Sequence, residues 1–208
     1  MLKEKQLYNI EVDRQKNVLK CAGLNINSFS NDEIVKNYNT SIREKVISLD
    51  GSEVNMSISD LNVVENKSTG QLNYFNNDKE FLPLYEYVNN GIIENYIVPI
   101  SGKGLWSTLY GFIALSNDFI NVKGITFFQH GETPGLGGEV DNPIFQKQFI
   151  DQKIIDDDGN FVSINIVKPG MAKGYHEVDG LSGATITCKG LTTFLKNDLS
   201  RYKIFFKI

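Results

Sequence analysis

Cysteine is scarce in this chain. Its 208 residues include only two, Cys21 and Cys188, too few for a disulfide framework. Histidine is equally rare, at His130 and His176. Neither lies at ligand spacing from a second histidine or a cysteine, so no structural metal site is expected. No run approaches the roughly 18 apolar residues that a membrane-spanning helix needs. The polar stretch from Met1 to Gln6 lacks a signal-peptide pattern. Positive charge is not in excess either. Against 25 acidic residues stand 21 Lys and Arg, and the formal net charge of −4 argues against a nucleic-acid surface. No Gly-x-Ser-x-Gly segment surrounds Ser182, which speaks against a serine nucleophile.

What is present reads as one globular unit. Hydrophobic residues make up 41% and charged residues 22%, an ordinary balance for a packed domain of this length. Leu7, Ile10, Val18 and Leu19 recur at near-helical spacing and predict a helix over about Lys3–Ala22, stopped by Gly23. Asn31 or Asp32 is expected to cap a second helix through the amides of Ile34 and Val35. From Arg43 onward, short apolar stretches alternate with Gly, Asn and Asp turns. Strands are predicted at Glu44–Leu49, Tyr85–Val88, Ile92–Val98, Leu109–Leu115, Val122–Phe128 and Phe161–Val167. In the last, Val162, Ile164 and Ile166 would face one way and Ser163 and Asn165 the other. Asp156 to Asn160 reads as a hairpin turn rather than a calcium loop, because no glutamate follows to close a site. Ser57–Asn77 reads as a long loop or weak strands. Ser182–Ser200 is predicted to be a helix with Ile186, Leu191, Phe194, Leu195 and Leu199 on its apolar side, followed by a short strand at Lys203–Lys207. The expected architecture is α+β: a twisted, mainly antiparallel sheet flanked by helices, with an N-terminal helical extension over residues 1–30 and the main domain over 31–208.

The chemistry is expected at Asp179-Gly180-Leu181-Ser182-Gly183-Ala184-Thr185-Ile186-Thr187. Ser182 reads as a helix N-cap. The first amides of a helix lack internal partners and carry positive partial charge, which suits a phosphate. Gly183 and Ala184 would let it come close, with the Thr185 hydroxyl beside it. Elsewhere, the lone Trp106 is expected in the core, His130 as an ordinary hydrogen-bonded side chain, and Cys188 as a buried thiol. Gly190 in mid-helix points to close packing there.

Asp-x-x-Ser-Gly-Ala-Thr resembles the flavinylation motif of the FMN-binding domain family. The resemblance implies FMN held covalently by Thr185 through a phosphoester, attached by a separate flavin transferase, with Asp179, Ser182, Gly183 and Ala184 completing the motif and Thr187 the nearest rival hydroxyl. Glu132-Thr133-Pro134-Gly135-Leu136-Gly137 is similar to a family segment beside the flavin ring, and implies ring contacts from Glu132, Thr133 and Leu136. Three further segments, Asp13–Leu24, Gly102–Trp106 and Val140–Pro143, resemble the C-subunit family of Na⁺-translocating NADH:quinone reductases. That likeness implies an electron carrier without stand-alone catalysis, passing electrons between NADH and quinone in a complex that exports sodium. The implied partners are the other subunits of that membrane complex. The implied place is the periplasmic side of the inner membrane, anchored by a single membrane helix upstream of this chain. Three other readings use the same residues: the G subunit of the related Rnf complex, a non-redox phosphate-ligand module, and an assembly subunit that has lost its flavin.

Overall fold

The computed structural model describes residues 2–208. Helix α1 spans Leu2–Cys21 and α2 spans Asn31–Ser41. The cap of α2 is Ser30 rather than Asn31 or Asp32. Its hydroxyl accepts from the Glu33 amide and the Glu33 carboxylate accepts from the Ser30 amide, a reciprocal pair that satisfies two otherwise unpaired donors.

Eight strands then build one antiparallel sheet. They are β1 (Ile42–Ser48), β2 (Glu53–Val54), β3 (Asn62–Glu65), β4 (Leu72–Asn76), β5 (Lys79–Asn89), β6 (Ile92–Lys103), β7 (Thr108–Ser116) and β8 (Val122–Gln129). The order is β2-β1-β5-β6-β7-β8, and the β3–β4 hairpin joins through β4 to the start of β5. A short helix α3 (Pro143–Lys147) follows, then β9 (Asn165–Val167) and β10 (Glu177–Asp179), which pair in parallel. The chain ends with α4 (Thr185–Arg201) and α5 (Lys203–Phe206).

Pleating sends alternate residues to opposite faces, and each face has its own core. On one, Val98, Ile100, Ile113 and Leu115 pack with Leu191, Phe194, Leu195 and Leu199 of α4 and with Phe145 and Phe149. On the other, Ile97, Phe112 and Ala114 meet Val18, Leu19 and Cys21 of α1 and Ile34 and Tyr38 of α2. Arg14 ties this second layer together. Its guanidinium donates to Glu11, to Glu44 and to the hydroxyls of Tyr38 and Tyr85. Among the described residues no helix is long and apolar enough to cross a membrane.

Two predicted strands are corrected. Phe161–Val167 is a strand only from Asn165 onward, because Ser163 has φ +64°, a left-handed turn that breaks the alternation and buries Ser163 beside Ile164. Lys203–Phe206 is helical. Tyr202 and Phe206, four apart, stack at 5.7 Å and both bury, packing side by side as residues one helical turn apart do. Asp156 to Asn160 forms the expected turn, with the Asp156 carboxylate taken up by the amides of Asp158 and Asn160.

Candidate functional site

The predicted segment folds as a tight turn that opens α4. Ala184 donates its amide to the Leu181 carbonyl at 3.2 Å, and Gly183 takes φ +73°. A side chain is strained at that angle, and a Cβ there would lie 2.8 Å from Leu136 Cδ2. The left-handed residue displaces Ser182 from the capping position. The N-cap is Ala184, which has no side-chain acceptor, and the helix begins at Thr185. No side chain therefore caps the first-turn amides, where the helix is electropositive.

The two threonines of the segment separate cleanly. Thr185 is exposed and Thr187 is buried. Thr187 Oγ1 donates to Glu132 Oε2 at 2.6 Å. Glu132 is only 5% exposed, with its carboxylate turned inward rather than toward solvent. Oε1 accepts from the amides of Trp106 (2.9 Å) and Ser107 (3.0 Å) and from Ser107 Oγ (3.2 Å). Oε2 also accepts from the Leu105 amide at 3.2 Å. Gly104 and Gly137 make room, since a Cβ on either would lie 2.7 Å from a carboxylate oxygen. Burial works against the charge, but the bonds from Thr187 and from the Trp106, Ser107 and Leu105 amides prevail and hold the Glu132 pKa below its usual value. One carboxylate thus joins the β6–β7 turn, the loop after β8 and the first turn of α4.

The other predicted residues take distinct places. Asp179 Oδ1 accepts from the amides of Met171 (2.9 Å) and Ala172 (3.0 Å), so it braces the loop before β10. Thr133 is exposed, and its carbonyl accepts from the amides of Leu136 (3.1 Å) and Gly138 (2.9 Å). Leu136 is 42% exposed beside Gly183. His130 Nδ1 accepts from the Glu132 amide at 3.3 Å, and its Nε2 lies 3.4 Å from Asp141.

Two side chains depart from expectation. Trp106 is 71% exposed rather than part of the core, because its turn is fixed by amide bonds to Glu132 that leave the indole at the tip. Ile186 is 56% exposed. The inner side of α4 is set by Thr187, Leu191, Phe194 and Asp198, and Ile186 falls outside that phase. Gly190 is where close packing was expected: a Cβ there would lie 2.1 Å from the Lys103 carbonyl oxygen.

Residues 104–200, which contain this whole assembly, match the model of the FMN-binding domain. The C subunit of the Na⁺-translocating NADH-quinone reductase of Pseudomonas aeruginosa is 34% identical over 210 residues, covering 93% of this chain and 80% of that one. The corresponding Pasteurella multocida protein is 33% identical over 207 residues, covering 94% and 79%. The crystal structure of the C subunit from Parabacteroides distasonis superposes with a TM-score of 0.84 at 31% identity, covering 100% of this chain and 98% of that one. The chain belongs to the C-subunit family of the Na⁺-translocating NADH-quinone reductase.

Proposed function

We propose that the chain is an electron-transfer subunit of a Na⁺-translocating NADH:quinone reductase and that it carries FMN as a phosphoester on Thr185 Oγ1. The contrast between the two threonines carries this reading. Thr185 is exposed at the start of α4 beside amides that no side chain caps, whereas the Thr187 hydroxyl is committed to Glu132. The residues present fit a flavin phosphate. Gly183 and Ala184 keep the approach to those amides free of bulky side chains, and the nearby Ser182 offers a further hydroxyl. Thr133 and Leu136, both exposed, are the proposed ring contacts, and Glu132 serves them by holding their loop. Asp179 serves the site by bracing the segment that leads into the turn. When bound, FMN supplies one-electron redox chemistry, and the chain supplies attachment and orientation.

The relatives are named as subunits of one reductase, which supports the other subunits of such a complex as partners. A flavin transferase is the proposed maturation partner. Residues 1–30 are proposed to lead from a single upstream membrane helix into the FMN-binding domain at 31–208, on the periplasmic side. The test is intact mass spectrometry of the chain co-produced with a flavin transferase. We expect one added FMN on the wild type, none on Thr185→Val, and FMN still added on Thr187→Val. Flavin retained by Thr185→Val would overturn the assignment.

A further inference from the structure

The register of α4 brings Lys189 over Thr185. Burial of Thr187, Cys188, Leu191, Phe194, Leu195 and Asp198 fixes the inner side of the helix. Contact of Gly190 with the Lys103 carbonyl holds that side in place, since even a Cβ would lie 2.1 Å from its oxygen. Thr185 and Lys189 are both left exposed on the outer side. Residues four apart are neighbours on one helix face, with Cβ atoms about 5–6 Å apart. Helical side chains also lean toward the N-terminus. A lysine in the second turn therefore reaches back over the first.

That placement works against the helix dipole. The N-terminal end carries positive partial charge and favours anions, yet the first turn of α4 holds no acidic residue. The positions three and four away from Lys189 are Thr185, Ile186, Thr192 and Thr193, so the helix offers it no carboxylate. Lys189 makes no salt bridge among the described residues. The acids of the neighbouring segments are committed elsewhere. Glu132 takes up Thr187 and the Leu105, Trp106 and Ser107 amides, and Asp179 takes up the Met171 and Ala172 amides. An ammonium and a helix start thus converge on Thr185 with no carboxylate of α4 to balance them. We propose that Lys189 is a positioning residue for the flavin. Its ammonium donates to an anionic oxygen of the phosphoester on Thr185 and holds that phosphate against the first-turn amides. The inference rests on the reading of Thr185 as the FMN-bearing residue. A phosphate joined to both the ribityl chain and Thr185 keeps a single negative charge, which one ammonium balances in a charge-assisted hydrogen bond.

Competitive acetylation of the wild-type chain with trace acetic anhydride, with and without FMN attached, tests the pairing by peptide mass spectrometry. Lys189 should react about two- to fivefold more slowly in the loaded chain at low salt, and the protection should fade at high salt. Lys196, exposed two turns further along α4, is the internal control and should react equally in both forms. Melts of Lys189→Gln give a second readout, whose sign depends on the flavin. Unloaded, the variant should melt no lower than unloaded wild type, because a cation has left the positive end of the helix. Loaded, it should melt about 1–4 °C below loaded wild type, and Lys189→Arg should restore the wild-type value. Acetylation of the wild type decides the case even where Lys189→Gln takes up no FMN. Protection that is absent or indifferent to salt, or an equal effect of Lys189→Gln on both forms, overturns the proposal and leaves Lys189 a solvated surface cation. Intact mass separates this from failure of the underlying reading: a wild-type chain that carries no FMN on Thr185 overturns that reading, and the role of Lys189 with it.

Discussion

Glu132→Gln removes one charge and almost no volume, so it isolates the electrostatic part of the clamp. The carboxylate accepts five hydrogen bonds, from Leu105, Trp106, Ser107 (twice) and Thr187. A glutamine placed with its carbonyl at the Oε1 position keeps the Trp106 amide and both Ser107 donors. Its NH₂ then meets the Leu105 amide, donor against donor, where the carboxylate accepted at 3.2 Å. Thr187 Oγ1 can rotate and accept. Bonds to a charged acceptor contribute about 1.5–3 kcal/mol each and neutral ones about 0.5–1.5 kcal/mol, and such values are not additive. Four weakened bonds and one lost bond therefore suggest a net cost of about 3 kcal/mol. For 208 residues each kcal/mol moves the melting temperature by about 2–4 °C, so the midpoint should fall by about 6–12 °C.

The same substitution has a pH signature. The folded-state pKa of Glu132 lies below 4.5. Its stabilisation is therefore fully present above 4.5 and is lost as pH falls through the lower folded value. Wild type and Glu132→Gln should differ most near neutrality and converge in acid, as measured by calorimetric or circular-dichroism melts. A neutral-pH difference of under about 1 °C would show that the carboxylate does not hold the three segments together.

Two other perturbations have definite signs. Asp198 of α4 is 3% exposed and accepts from Gln71 Nε2 and the Ser101 amide, and burial pushes its pKa up to about 6 from 3.8. Its contribution is present below 3.8 and is lost as pH rises through 6, a change on the order of 2–3 kcal/mol. Asp198→Asn should abolish that slope in denaturant titrations across the window. Gly190→Ala improves intrinsic helix propensity by about 1 kcal/mol, yet its methyl would meet the Lys103 carbonyl oxygen at 2.1 Å. Net destabilisation of about 2 kcal/mol is expected from the overpacking, and a more stable variant would contradict the contact.

Local patterning made the main elements legible. The apolar runs of β5 to β8 survive because each buries a face large enough to outweigh local preferences, and α1 forms as expected, but its buried face is Val12, Val18, Leu19 and Cys21, whereas Leu7 and Ile10 are 58% and 67% exposed. Signals that were present but misread are local as well. Ser30-x-x-Glu33 is a capping box, and Thr187, Leu191, Phe194 and Asp198 mark the inner phase of α4 that the choice of Ile186 missed. Other features have no local signature. Ser163 turns left-handed within an apparent strand, Arg14 finds Tyr85 across 71 positions, and the β6–β7 turn lends the Ser107 amide to Glu132 across 25. Trp106 is exposed for that long-range reason. At the site, the choice of Thr185 over Thr187 came from resemblance, and helix phase gives it a physical basis that the pattern of small residues alone did not.

The uncapped start of α4 has an energetic consequence of its own. A helix opened by alanine forgoes the roughly 1 kcal/mol that a Ser, Thr, Asp or Asn cap contributes, and Ala184 opens this one. A phosphoester on Thr185 would place anionic oxygens beside the first-turn amides, giving them acceptors and opposing the helix dipole. The flavin-bearing chain should therefore be more stable than the unmodified one by about 0.5–2 kcal/mol, or about 1–8 °C in melting temperature. The difference should shrink as salt is added, since the site is exposed. The proposed ring packing on Leu136 would add a gain that salt does not screen, so the salt dependence would separate the two contributions. Paired melts of loaded and unloaded chain at low and high ionic strength measure this. A loaded chain that melts no higher than the unloaded one would mean that the phosphate does not reach the helix amides, and the geometry argued for Thr185 would fail with it.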